Sequence, residues 1–299
     1  MIGNLDETLH RGLEPFGSAL PTHVSAGLDD GVAAKIHRIE QAHRFFIDQL
    51  GVEPRIAVLI LSPDDWAGRS NHPLYGMPNY RDGNLVLAGE PNPFWSGLVG
   101  LAASEIPGGG ELLQRSYPGL SPGVDLSPFF DLLGVHELAH IFIAAAGRAP
   151  SRLWVLELAC NVLLHAYVAL EEPQNLPTLE TFPSVFAAIA SSRFTHRTLD
   201  DFERSYAHGM DGANYGWFQA KFHVAAKSIF DSGGMKATAR MWDLLADEPS
   251  SRNLADTLEQ HLGPAAMHLL GELGSLRPGS TVGRSTTDSR SARINTRQC

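Results

Sequence analysis

Apolar residues recur at helical spacing through Val32, Ile36, Ile39, Phe46 and Leu50, which predicts a helix over 29–50. Asp29 or Asp30 is placed to cap it and Gly51 to stop it. The pattern then changes. "RIAVLILS" (55–62) is a continuous aliphatic and β-branched run, the signature of a buried strand. "PDDWAGRSNHPLYGMPNYRDG" (63–83) is rich in Pro, Gly, Asp and Asn and reads as loop, ending in a turn at Arg81-Asp82-Gly83. "NLVLAGE" (84–90) predicts a second strand. From 91 to 128 glycine and proline interrupt the pattern, leaving room for a short helix around Phe94–Ala103 and making "GGG" (108–110) a flexible connector.

Beyond Ser127 the pattern is helical. Ser127 followed by Pro128 predicts a helix start, and the apolar run continues to about Ala146 before Gly147. Pro150-Ser151 opens a second helix, "RLWVLELACNVLLHAYVAL", ending near "EEP". Further helices are predicted around Phe182–Ser191, Leu199–Ala207, Tyr215–Asp231, Lys236–Ala246 and Ser251–Leu262. Trp217, Phe218, Phe222 and Phe230 at near-helical spacing read as core packing. The last stretch, 276–299, has almost no apolar residue and is expected to be disordered. The pattern predicts an α+β chain, with a strand-containing N-terminal lobe over about 1–146 and a mainly helical lobe over about 147–275.

Composition narrows the partners. The 299 residues are 43% hydrophobic and 19% charged, ordinary for a globular chain. A net charge of −10 disfavours nucleic acid or an anionic membrane as partner. No run approaches the roughly 20 continuous apolar residues of a membrane span, and the N-terminus shows no secretory signal pattern. Two cysteines, Cys160 and Cys299, do not make a disulfide framework, so a cytoplasmic setting is expected.

The thirteen histidines carry the chemistry. His136-Glu137-Leu138-Ala139-His140 lies inside the apolar run "LLGVHELAHIFIA" (132–144). On a helix, positions i and i+4 share a face, so His136 and His140 can aim at one metal ion. Glu137 can then reach a water on that ion. Buried without partners, two imidazoles and a carboxylate would be costly, which favours a metal over a coincidence. A catalytic zinc takes three protein ligands and keeps a fourth position open. Glu157, in the otherwise apolar next helix, is the candidate third ligand, with Asn161 at i+4 to hydrogen-bond a ligand and His165 at i+8 in a structural role. Cys160 reads as a buried small residue beside the site, His43 and His72 as exposed histidines, and His223 as structural, with a place facing the cleft from the Tyr215 helix as the alternative.

"VHELAH" followed by "LWVLELACN" resembles the gluzincin metallopeptidases, of thermolysin and alanyl-aminopeptidase type, with a His-Glu-x-x-His helix and a glutamate on the next helix. Trp154 three residues before Glu157 is similar to the aminopeptidase pattern, and Asn161 stands where thermolysin-like members often carry Asp. "ANYGWFQAKFHVAAKSIFDSGG" (213–234) resembles the Tyr-led helix these enzymes place across the cleft. The resemblance implies a zincin-like fold over 1–275 with a mixed-sheet N-terminal lobe. It implies one zinc per chain held by His136, His140 and Glu157, and Glu137 as general base. Tyr215 is implied as oxyanion partner, with Tyr206 and His208 as alternatives, and "NLVLAGE" as the edge strand lining the cleft. The aminopeptidase G-A-M-E-N motif is missing; "GMPNY" (76–80) only echoes it. The expected activity is zinc-dependent peptide hydrolysis. The alternatives are hydrolysis of a non-peptide amide or ester in a small molecule, and a zincin-like binding protein without activity.

Overall fold

The computed structural model describes residues 5–28, 31–92, 95–119, 123–206, 209–246 and 254–274. The Asp29/Asp30 cap, the Ser251 helix start, His208 and the 276–299 tail lie outside them.

A five-stranded mixed sheet has the order β1-β2-β3-β5-β4, formed by β1 (Glu14–Phe16), β2 (Thr22–Val24), β3 (Ala57–Leu61), β4 (Asn79–Arg81) and β5 (Asn84–Ala88). The central strands β2, β3 and β5 are parallel and the outer two antiparallel to their neighbours. Every residue of β3 is buried, as its unbroken apolar run predicts. Asp82 and Gly83 both have positive φ, 44° and 83°, joining β4 to β5 by the tight hairpin that an Asp-Gly pair favours. β5 is therefore an interior strand. The edge strand is β4, which arises inside the stretch expected to be loop. The same stretch also forms a helix, α2 (Pro63–Arg69), which places Trp66 over Leu59, Leu61 and Val86 on one face of the sheet.

The other face is covered by α1 (Gly31–Leu50) and α5 (Ser127–Ala145). Gly134 makes the approach of α5 close. A Cβ there would lie 2.9 Å from Leu87 on β5 and 3.2 Å from Ile39 on α1. Between β5 and α5 run α3 (Ser96–Glu105) and α4 (Gly109–Ser116), so the "GGG" segment starts a helix and is not a flexible connector. Ser127 is the first residue of α5 and not its cap; the Asp125 carboxylate accepts its N–H at 2.9 Å. Gly147 takes φ 69° and Arg148 N–H bonds the Ile143 carbonyl at 3.1 Å, closing α5 as left-handed caps do. A short turn then returns the chain antiparallel into α6 (Leu153–Glu171).

The remaining helices are α7 (Leu176–Ala187), α8 (Leu199–Tyr206), α9 (Gly212–Gly233), α10 (Met235–Leu244), α11 (Leu254–Leu262) and α12 (Pro264–Leu273). The 182–191 expectation shifts towards the N-terminus because α7 carries Pro183 internally, and α12 was not anticipated. By length and composition α5 and α6 are apolar enough to cross a bilayer. Their most apolar windows are 61% and 78% buried, because they form the centre of the core, where α6 packs against both α5 and α9. The architecture is α+β, a small mixed sheet followed by a larger body of helices. His43 and His72, expected to be exposed, are both buried. His43 lies edge-on to Phe142, and His72 Nδ1 accepts the Leu74 N–H at 3.1 Å.

Candidate metal and catalytic site

Helical geometry brings His136 and His140 together first. Both lie on one face of α5, and their Nε2 atoms are 3.1 Å apart. The turn at 146–152 brings α6 back across that face, so that Glu157, buried, lies beside both rings. Its Oε2 is 3.3 Å from His136 Nε2 and its Oε1 3.7 Å from His140 Nε2. Bonds of about 2.0–2.1 Å to a tetrahedral zinc hold neighbouring donor atoms roughly 3.3–3.4 Å apart. The three donors therefore stand near the separations such an ion requires.

Charge points the same way. Burial alone would raise the Glu157 carboxyl, but the His140 and His136 rings and the Gln219 amide outweigh it, holding it down to about 2. Burial lowers the His140 ring to about 4, so it stays neutral and presents a lone pair. Burial also raises Glu137 to about 8. It has no hydrogen-bond or ion-pair partner among the described residues. Burial alone would lower the His136 ring, but the hydrogen bond and charge of Glu157 outweigh it and raise it above its usual value, so the carboxylate and this ring hold each other's charge. Two imidazoles with one carboxylate form a donor set that suits zinc.

The supports of these donors are also in place. Asn161, one turn beyond Glu157, accepts from His136 Nδ1 at 3.0 Å. That bond leaves the Nε2 lone pair pointing at the proposed ion. Cys160 is buried, and its Sγ lies with the two ring nitrogens in a group spanning at most 4.8 Å. Burial, with Glu157 and Glu137 nearby, raises its thiol well above the usual value. His165 stands apart and meets Glu180 at 3.1 Å.

α9 supplies the opposite wall. Tyr215, Gln219 and His223 recur at i, i+4 and i+8 and face the same cavity as His136 and Glu137. Gln219 is the residue that sequence reasoning missed. Its Nε2 donates to Glu157 Oε2 and to the Tyr215 hydroxyl oxygen, both at 2.8 Å, while its Oε1 accepts from Asn161 Nδ2 at 3.2 Å. Its signal in the sequence was its position one turn after Tyr215. Tyr206 also lines the cavity, its ring centroid 6.0 Å from that of Tyr215. His223 is buried and its ring is held neutral by burial, lowered to about 3. The cavity encloses about 930 Å³ and lies between the β4 side of the sheet, α3, α5, α7 and α9.

The structure thus brings His136, Glu137, His140, Glu157, Asn161 and Tyr215 to one place. Comparison with protein-family models, with curated proteins and with solved structures finds no match to this chain.

Proposed function

We propose that this chain is a zincin-like, zinc-dependent hydrolase of gluzincin type that cleaves a peptide or other amide bond. The observation that carries the reading is the convergence of His136, His140 and Glu157 at zinc-ligand separations beside the Glu137 carboxyl, which has no hydrogen-bond or ion-pair partner among the described residues, at the wall of a cavity.

Zinc held by these three side chains supplies a Lewis acid and lowers the pKa of water bound to it. The chain's own residues do the rest. Glu137 takes the proton of the attacking water and delivers it to the leaving nitrogen, a role suited to a carboxyl whose affinity for protons is raised by burial. Asn161 and Gln219 fix the orientation of the His136 ring and the Glu157 carboxylate. Tyr215 donates to the carbonyl oxygen as charge develops on it, an interaction worth about 3 kcal/mol in comparable sites.

The test is metal analysis of the purified chain alongside Glu157→Ala and Glu137→Gln. The reading expects about one zinc per chain in the wild type, loss of zinc in Glu157→Ala, and zinc retained without amide hydrolysis in Glu137→Gln. Absence of zinc from the wild type after zinc is offered overturns it.

Cys160 favours a second reading, a closed His-His-Glu-Cys zinc site that binds metal without catalysis. Cys160→Ala separates the two, since zinc is retained in the hydrolase and lost from the closed site.

A further inference from the structure

The walls of the cavity differ from what an extended peptide needs. We infer that the occupant is a small, uncharged molecule whose amide or ester carbonyl is attached to an apolar body of several carbons, and that this body fills the space bounded by Leu74, Met77, Trp95, Leu98, Leu101 and Phe130. The inference rests on the hydrolase reading for the fate of the carbonyl, but not for the binding of the body.

Three observations carry it. The first is volume, because about 930 Å³ suits a drug-sized molecule held mostly out of water. The second is charge. Among the described lining residues there is no Lys or Arg, and the acidic ones are Glu137, at the catalytic end, and Asp211, which caps α9 through a bond from Asn214 N–H at 2.9 Å. A carboxylate or phosphate on the buried body would find no cation, and an unpaired charge in such a place is strongly disfavoured. Trp95 stacked on Phe130, with centroids 3.7 Å apart, presents an apolar aromatic wall instead.

The third is the sheet edge. A peptide binding by strand addition needs the backbone groups of the edge strand. At the centre of β4 the Tyr80 carbonyl already accepts from Asn71 Nδ2 at 2.9 Å. The Asn71 N–H is itself tied to Asn79 Oδ1 at 3.0 Å, and Asn79 Nδ2 to Ser70 Oγ at 2.9 Å. Residues 70–71 thus fold over β4 and fill the place an added strand would take.

The experiment is calorimetric titration of the full-length Glu137→Gln chain, both zinc-loaded and chelator-treated, with hexanamide, octanamide and decanamide. The same chains ending in a carboxylate or an ammonium, and a capped penta-alanine, complete the set. Affinity is expected to rise about fourfold per methylene, and to fall at least tenfold when the far end is charged. Leu98, half-buried on α3, supplies the control variants. Leu98→Asp is expected to weaken decanamide at least tenfold with unchanged circular dichroism, and Leu98→Met to leave it within about twofold. Chain-length dependence that survives chelation supports the inference even if the chain proves to hold no zinc. Affinity that ignores chain length, or penta-alanine binding more tightly than decanamide, overturns it, and does so without touching the zinc assignment.

Discussion

Gln219 uses both ends of one amide to join three residues from two helices. Its position on α9 makes it the link between the Glu157 carboxylate on α6 and the Tyr215 phenol one turn away. Replacing it by Met preserves volume and removes all three bonds. We expect Gln219→Met to retain zinc and to lower kcat about 10- to 100-fold, the usual cost of losing a group that orients a metal ligand, with KM little changed. A purely structural role would instead lower the melting temperature and leave kcat alone. Asn161→Ala acts on the other side, releasing His136 Nδ1. Zinc affinity, measured by competition with a chromogenic chelator, is expected to fall about 10- to 100-fold. Asn161 was legible in the sequence because it shares a stripe with Glu157 in an apolar helix. Gln219 was not, because a glutamine on a long helix is ordinary until the fold shows what faces it.

At the level of elements, the two helices of the candidate metal site were legible because each is a long apolar run in which the few polar residues stand out. Their ends were less so. Ser127 is the first residue of α5 and not its cap, and its N–H is taken by the Asp125 carboxylate just before the helix. The edge strand was missed for a physical reason: β4 is three residues long, half-polar, and held by a hairpin and by side-chain bonds from 70–71. None of these leaves a periodic pattern. Gly134 carries a comparable tertiary fact, since only the absence of a side chain lets α5 meet β5 and α1. Gly134→Ala is expected to destabilise the fold by about 1–3 kcal/mol through overpacking, partly offset by up to about 1 kcal/mol of helix propensity, as read from urea melts. The far end of α6 is tied to α1 by Arg38, whose guanidinium holds both oxygens of Glu172 at 2.9–3.0 Å. Burial pushes the Glu172 carboxyl up, but Arg38, Tyr167 and Asn175 outweigh it and the group sits below its usual value of 4.5. A depressed carboxyl stabilises the fold above that value and ceases to do so as pH falls through its own, lower pKa. Glu172→Gln should therefore be less stable than wild type at neutral pH, with the gap closing as urea melts are taken into the acid range.

The molecule as a whole is a small sheet joined to a larger helical body, and the candidate metal sits where the two meet. His136 and His140 belong to α5, which packs on the sheet and α1, whereas Glu157 belongs to α6, which packs on α9. An ion held by all three would tie the halves together, and a ligand that binds only the folded state adds RT ln(1 + [L]/Kd) to stability. At free zinc one hundredfold above Kd this is about 2.7 kcal/mol. For a chain of this size that corresponds to roughly 4–5 °C in melting temperature. We expect chelation to lower the Tm of the wild type by that amount and added zinc to restore it. The Glu157→Ala chain should melt at one temperature with or without zinc. The comparison is informative because exposed histidines also bind zinc, but weakly and in the unfolded chain as well, so they would give the two proteins equal shifts. A zinc-dependent rise confined to the chain that keeps Glu157 would place the ion between α5 and α6 and assign to one site both the joining of the two lobes and the chemistry.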